Sequence, residues 1–370
     1  MVGLDSNDHA ATDAAGIHRS FGRQLLLRKC SLKVAVLIVA VAVPCVYYYL
    51  SIGRFSYLPW SYSVDDVNLS EGAGKARLGV LLEAAAMEDK TVILTTLNDA
   101  WAEPNSMFDL FLESFRIGNG TRKLLRHLVV ITLDDKAQSR CTEVHAFCYP
   151  LKSRGIDFSS RAKFMSTDYL HMMWHRIDLL RLILQMGYNF VFTDTDIMWL
   201  RDPFPRFYTD VDFQIACDSF NGNPTDMENR PNGGFNYVRS NNRTVEFYKF
   251  WYESRTLHPK QHDQGVLDLI KHDPFITKTG LQMKFLDTAF FGGFCEPARD
   301  LNLACTMHAN CCIGLENKIN DLSILLDDWR KYTSLPPNKT ASASWTVPQD
   351  CRCSIERGGV PKHHDQEKKP

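Results

Sequence analysis

The chain has 370 residues, enough for one large domain or two modest ones with short appendages. Its hydrophobic content of 45% and charged content of 23% are ordinary for a globular protein. The formal net charge of -1 gives no electrostatic reason to expect a nucleic acid as a partner.

The first predicted element is an apolar segment at residues 32–52, in which no charged residue other than Lys33 occurs. Its length is near the lower limit for a helix that spans a bilayer. Basic residues are concentrated before the uncharged run, at Arg19, Arg23, Arg28, Lys29 and Lys33. The positive-inside rule therefore predicts a type II membrane anchor, with a cytosolic tail at residues 1–31 and a lumenal remainder. A cleaved signal peptide is the alternative, although the basic leader is long for one.

After this segment in the chain, we assign residues 53–88 to a polar stem, residues 89–335 to the folded domain and residues 336–370 to a partly disordered extension. Within the domain, β-branched apolar runs alternate with helical patterns. The predicted strands lie at residues 91–97, 127–132, 189–193, 213–217 and 234–238, and the predicted helices at residues 104–115, 169–186, 244–254, 264–271 and 322–331. This alternation predicts an α/β fold, with a Rossmann-type, mostly parallel sheet and helices on both faces.

A pair of acidic residues, Asp194 and Asp196, ends the third predicted strand. In extended backbone, residues two apart point to the same side, so both carboxylates can address one ion. Ligands of open parallel sheets bind beyond the carboxyl ends of strands, and a nucleotide diphosphate needs a hard cation. A second pair, Asp210 and Asp212, precedes a strand and is interpreted as a solvated loop at the opposite edge. A surface turn is the alternative for the first pair.

The sequence around the first pair, FTDTDIMWLRDPF at residues 192–204, resembles the plant nucleotide-diphospho-sugar transferases of glycosyltransferase family 77. Segments at residues 90–102, 232–240, 262–270 and 308–312 are similar to that family in the same order. The resemblance covers about residues 88–335. It implies a retaining GT-A fold, a UDP-sugar donor, usually Mn²⁺, and residence in the Golgi apparatus. Known members transfer xylose, arabinose or galactose to cell-wall glycans or glycoproteins.

The resemblance also points to His308 as the third metal ligand and to Lys318 on the diphosphate. An imidazole with two carboxylates suits Mn²⁺ better than Ca²⁺. The alternatives are a structural histidine beside two cysteines, and a solvated lysine. Thr95, Thr96 and Asn98 end the first strand, where uridine and ribose would lie; strand-end capping is the alternative. Arg176 can meet the donor phosphates or pair with a nearby acid.

Two further segments are candidates for the sugar. Asn232, Gly233 and Gly234 are interpreted as a turn that lets the backbone approach the sugar or the acceptor, with a simple tight turn as the alternative. His262, Asp263 and Gln264 are the candidates for donor-sugar contacts, with Asp263 and Gln264 as the candidate catalytic residues. Asp263 could support the oxocarbenium-like charge on the reacting carbon, or it could cap the helix that follows.

Cysteines and sequons bear on the compartment. Of eleven cysteines, Cys30 and Cys45 lie at or within the predicted anchor, and Cys217 is the expected free thiol. The other eight are expected to form disulfides whose pairing stays open: Cys141, Cys148, Cys295, Cys305, Cys311, Cys312, Cys351 and Cys353. Glycosylation sequons agree with a lumenal domain; they begin at Asn68, Asn119, Asn242 and Asn338.

Together these features predict a Golgi type II glycosyltransferase that uses Mn²⁺ and a UDP-sugar, with a glycan or glycoprotein as acceptor. A metal-dependent sugar-nucleotide hydrolase is the alternative within enzymes. A catalytically silent glycan-binding protein of the lumen is the alternative outside them.

Overall fold

The structure is a computed structural model that describes residues 72–151 and 165–352. The predicted cytosolic tail and anchor, Asn68 and Cys353 lie outside the described residues. No helix within the two described ranges is both long and apolar enough to cross a membrane.

Ten strands occur in the described part of the chain. They are β1 (Thr91–Leu97), β2 (Leu128–Thr132), β3 (Cys148–Pro150), β4 (Asn189–Thr193), β5 (Ile197–Trp199), β6 (Phe213–Ser219), β7 (Arg230–Val238), β8 (Met283–Phe285), β9 (Phe291–Gly293) and β10 (Thr306–His308). Seven form a central sheet in the order β3-β2-β1-β4-β7-β6-β8, and β5-β10-β9 form a small second sheet. In the central sheet only β7 runs against its neighbours, which confirms the predicted mostly parallel sheet.

Helices cover both faces of the central sheet. In the described residues they are α1 (Gly72–Ala85), α2 (Asp99–Ala102), α3 (Met107–Ile117), α4 (Asp135–Val144), α5 (Thr167–Gln185), α6 (Asn242–Ser254), α7 (Asp263–Ile270), α8 (Pro274–Thr279) and α9 (Leu315–Thr333). Because successive strand residues point to opposite faces, Ile93 of β1 joins the core under α3 and α9, whereas Val92 joins the core under α1, α5 and α6. The two-faced arrangement is therefore also as predicted.

Both ends of the described chain pack against the domain. α1 lies in the segment that the sequence analysis assigns to the stem, yet its Leu78 and Leu82 are completely buried. At the other end, the buried carboxylate of Asp321 in α9 accepts backbone N–H bonds from Gln349 and Cys351 at 2.9 and 2.8 Å. The packed structure thus includes parts of residues 53–88 and 336–370, which the composition assigns to a stem and an extension.

The second acidic pair lies at the opposite edge of the sheet from Asp194, because β6 runs parallel to β4. Its interpretation as a solvated loop is wrong for Asp212, which is buried. The Asp212 carboxylate accepts hydrogen bonds from Arg243, from Asn241 and from the backbone of Gln282. It therefore joins β6 to the start of α6 and to the strand that follows Gln282. Asp210 is exposed, as expected.

Three disulfides occur in the described residues: Cys141–Cys148, Cys295–Cys311 and Cys312–Cys351. Cys217 is a buried free thiol, as predicted. The expectation that Cys305 forms a disulfide is wrong, since it is also a buried free thiol. Cys305 directly precedes β10 and is enclosed in the core, where burial raises the pKa of its thiol to about 11.

Candidate functional site

The acidic pair lies in a tight turn between β4 and β5. The expectation of extended backbone is wrong, because the N–H of Ile197 donates to the carbonyl of Asp194 at 3.2 Å. The turn is anchored on both sides: the N–H of Asp194 donates to the carbonyl of Gly234 at 2.7 Å, and the N–H of Ala309 donates to the carbonyl of Asp196 at 3.0 Å. Both carboxylates nevertheless reach the same rim of the sheet.

His308 reaches this turn through the small sheet. β10 pairs antiparallel with β5, which places His308 opposite Ile197, directly after the acidic turn. One ligand atom from each of Asp194, Asp196 and His308 lies within 4.8 Å of the other two. The His308 Nε2 atom is 3.2 Å from Oδ1 of Asp196. Two carboxylates and an imidazole form a donor set that suits Mn²⁺, so these residues fit a divalent cation.

Asp196 is the most enclosed member of this group, with its side chain only 3% exposed. Its second oxygen, Oδ2, accepts a hydrogen bond from Nζ of Lys318 in α9 at 2.6 Å. Burial opposes ionisation, but Lys318 and His308 hold the pKa of Asp196 well below its usual range. The carboxylate is therefore ionised at neutral pH and carries the negative charge that a divalent cation needs.

Asn232, Gly233 and Gly234 lie inside β7, so their interpretation as a turn is wrong. β7 pairs with β4 on one side and with β6 on the other, and these partners hold the segment extended. At Gly234 a Cβ would lie 2.6 Å from Oδ2 of Asp194 and 2.8 Å from Cε1 of His308. The glycine therefore leaves the space in which two of the candidate ligands meet.

We expect Gly234→Ala to weaken Mn²⁺ binding by about 10- to 100-fold. Overpacking of this kind costs about 1–3 kcal/mol, and 1.4 kcal/mol corresponds to a factor of ten. Titration followed by electron paramagnetic resonance measures the affinity. Gly233→Ala is the matched control, since its Cβ would meet Cβ of Gln264 at 3.5 Å, an ordinary contact. Equal Mn²⁺ affinity in both variants would contradict the assigned role of Gly234.

Arg176 connects the acidic turn to the start of α7. Its side chain in α5 is 6% exposed, and Nη1 is 3.0 Å from Oδ1 of Asp194. Nη2 forms a short ion pair with Oδ2 of Asp263. The guanidinium also lies 4.7 Å above the ring of Phe192. The structure thus contains the predicted ion pair of Arg176 with a nearby acid, while its contact with the donor phosphates stays a prediction.

Asp263 is the first residue of α7 and is almost completely buried. The residue at the N-cap is His262, so Asp263 does not cap the helix and its carboxylate turns to Arg176. Burial works against ionisation, but Arg176 and His262 lower the pKa of Asp263 to about 2. A permanently ionised carboxylate thus lies beside the acidic turn.

A second polar cluster adjoins Gln264. Its side chain accepts the N–H of Gly233 at 2.9 Å and donates to Oδ2 of Asp218 at 2.9 Å. Oδ1 of Asp218 accepts from Asn232 at 2.7 Å and from Asn310 at 2.8 Å. Asp218 and Asn310 are not among the residues predicted from the sequence. Asp218 follows the predicted strand at residues 213–217, and a carboxylate at the end of a strand parallel to β4 is the signal that could have found it.

Thr95, Thr96 and Asn98 lie at the carboxyl end of β1, next to β4 in the sheet. Thr95 is fully buried, and its Oγ1 has no hydrogen-bond partner among the described residues. Thr96 is half-buried and Asn98 is buried at the N-cap of α2. Nζ of Lys318 lies 5.6 Å from the ring centroid of Trp101 in α2, which brings this end of β1 near the acidic turn.

Comparison with known proteins gives matches along most of the domain. The model of the nucleotide-diphospho-sugar transferase family matches residues 123–322. An uncharacterised protein of Arabidopsis thaliana is 54% identical over 277 residues, which cover 74% of this chain and 73% of that protein. An arabinosyltransferase of the same plant is 26% identical over 182 residues, covering 47% and 40%. The UDP-D-xylose:L-fucose alpha-1,3-D-xylosyltransferase 3 of Arabidopsis thaliana is 27% identical over 195 residues, which cover 47% of this chain and 49% of that protein.

Proposed function

The chain belongs to the nucleotide-diphospho-sugar transferase family and is a glycosyltransferase, and on that premise we propose a Mn²⁺-dependent transfer from a UDP-sugar. The observation that carries the proposal is the convergence of Asp194, Asp196 and His308, with ligand atoms within 4.8 Å, at the carboxyl edge of the sheet. The acceptor in this proposal is a glycan or glycoprotein, and the sugar is of the xylose, arabinose or galactose class. The arabinosyl- and xylosyltransferases among the relatives support that sugar class.

Asp194, Asp196 and His308 would hold the cation. When bound, such an ion neutralises the diphosphate and stabilises the charge that develops as the nucleotide departs. Lys318 is close enough to this group, through its bond to Asp196, to donate to the diphosphate as well. Thr95, Thr96 and Asn98 are the proposed uridine and ribose contacts at the end of the adjacent strand.

The sugar would lie on the other side of the acidic turn. Arg176 holds Asp263 ionised there, and a carboxylate can stabilise positive charge on the anomeric carbon. His262, Gln264 and the backbone of Gly233 border the same place, and Asp218 offers oxygen atoms to sugar hydroxyls. We propose retention of the anomeric configuration on the basis of the family 77 resemblance.

We also propose that the protein is a type II membrane protein of the Golgi apparatus, with this domain in the lumen. Three disulfides support an oxidising compartment. The described sequon residues Asn119, Asn242 and Asn338 are all exposed and accessible to glycosylation. We expect glycosidase treatment to increase the electrophoretic mobility of the protein. We also expect sealed Golgi vesicles to protect the domain from added protease. Protease digestion of the domain in intact vesicles would refute this topology.

Turnover by the full-length protein in detergent tests the function. UDP-xylose, UDP-arabinose and UDP-galactose are incubated with cell-wall oligosaccharides, with Mn²⁺ or with EDTA, and both UDP release and product are measured. We expect acceptor-dependent transfer that EDTA abolishes. Release of free sugar at the same rate without acceptor would instead indicate the hydrolase. Metal-independent glycan binding without turnover of any donor would indicate a binding protein.

A further inference from the structure

The Cys295–Cys311 disulfide lies at the rim that carries the candidate site. β9 and β10 are parallel neighbours, with Gly293 opposite His308, so both strands end at the same edge. Cys295 comes two residues after β9 and Cys311 three residues after β10. The disulfide therefore joins the two chain segments that leave this edge directly behind His308.

Asn310 belongs to the segment that follows β10 and contacts the segment that follows β9. Its Oδ1 accepts the backbone N–H of Cys295 at 3.1 Å. A Cβ at Gly293 would be only 2.3 Å from that oxygen, so this close approach requires glycine. The next residue, Cys311, has a φ of 53°, in the left-handed region that residues other than glycine rarely adopt. The backbone of Cys295, the close approach of Gly293 and the adjoining disulfide therefore hold Asn310 in place.

The free end of the Asn310 side chain reaches Asp218. Nδ2 of Asn310 donates to Oδ1 of Asp218 at 2.8 Å, across 92 residues of sequence. Asp218 in turn accepts from Asn232 and Gln264. Asn310 thus supplies the hydrogen bond between the disulfide-linked segments and the carboxylate that we assign to the sugar, and Sγ of Cys295 lies 3.7 Å from the same Asp218 oxygen. The cation and the diphosphate are assigned to other residues, Asp194, Asp196, His308 and Lys318.

We propose that Asn310, held by the Cys295–Cys311 disulfide, is a positioning residue that orients Asp218 toward the sugar of the donor. The inference rests on the proposed function, because it assumes that a UDP-sugar occupies the site. Loss of the Asn310 bond leaves Asn232 and Gln264 as the donors to Asp218, so its carboxylate is oriented less firmly, while the residues around the diphosphate keep their contacts. The consequence is selective: binding of the sugar weakens and binding of UDP does not.

The test compares UDP with the UDP-sugar that the wild-type protein turns over, in the full-length chain with Mn²⁺. Asn310→Ala keeps the disulfide, and the double variant Cys295→Ala/Cys311→Ala removes it. In both we expect UDP affinity within about twofold of wild type. Affinity for the UDP-sugar should fall, and its KM rise, about tenfold, as for loss of one hydrogen bond to a charged group.

Cys141→Ala/Cys148→Ala is the matched control, since that disulfide joins α4 to β3 at the far end of the sheet order. It should lower the melting temperature and leave both affinities unchanged. The proposal is overturned if UDP and UDP-sugar affinities fall together in Asn310→Ala, because that pattern indicates general damage. It is also overturned if neither affinity changes while wild type is active. A wild-type protein without turnover of any donor refutes the proposed function itself, and this inference with it.

Discussion

Replacement of Asp196 by asparagine is expected to lower kcat/KM by at least about a thousandfold, or roughly 4 kcal/mol of transition-state stabilisation. Both oxygens of this 3%-exposed carboxylate are in use, one toward His308 and one toward Lys318. The amide keeps the shape but loses the charge that a divalent cation needs. It also leaves the ammonium of Lys318 without its ionised partner. UDP release measures the activity, and electron paramagnetic resonance measures the loss of Mn²⁺ binding.

The chain contains its own control for this experiment. Asp212 belongs to the second acidic pair, which has the same spacing as Asp194 and Asp196. It lies at the other edge of the sheet and accepts hydrogen bonds from Arg243 and Asn241. Asp212→Asn should lower the free energy of unfolding by about 1–3 kcal/mol through lost hydrogen bonds. Its kcat/KM per folded molecule should stay within about twofold of wild type. A similar kinetic loss in both variants would remove the distinction between the two acidic pairs.

Arg176→Met is expected to lower the free energy of unfolding by about 3–5 kcal/mol, the usual cost of breaking a buried ion pair. The variant leaves Asp263, which is 1% exposed, without its cation. Because apolar replacement of both partners avoids that uncompensated charge, Arg176→Met/Asp263→Leu should be more stable than the single variant. Urea unfolding measures all three proteins. A double variant that is less stable than Arg176→Met would contradict this account.

The pH dependence of stability should also change in Arg176→Met. In wild type the pKa of Asp263 is lowered to about 2, so its contribution is present above pH 4 and is lost as the pH falls toward 2. Without Arg176, burial raises this pKa and His262 still lowers it, so the folded variant binds the proton more tightly than the folded wild type does. We therefore expect the variant to gain stability relative to wild type as the pH falls from 7 toward 2. A parallel pH profile for the two proteins would contradict this assignment.

Much of the central sheet follows from local sequence. Two strands, Thr91–Leu97 and Asn189–Thr193, have the same bounds as the apolar runs from which they are predicted. Such continuous β-branched and aromatic runs are typical of strands that are buried on both faces of a parallel sheet. Helix α5 agrees within two residues at its start. The alternation of strands and helices then indicates a mostly parallel sheet, and the position of Asp194 behind β4 indicates its ligand-binding edge. These features depend on residues that are neighbours in the chain.

Tertiary structure decided the rest of the site. β5, β9 and β10 have three residues each, too few for a periodic pattern, yet their pairing brings His308 to the acidic turn. The direction of β7 and the extended conformation of Asn232 depend on the strands at its sides. Lys318 meets Asp196 across 122 residues, and Asn310 meets Asp218 across 92. Hydrophobic periodicity reports how a segment is buried, but it carries no information about which distant segment lies beside it.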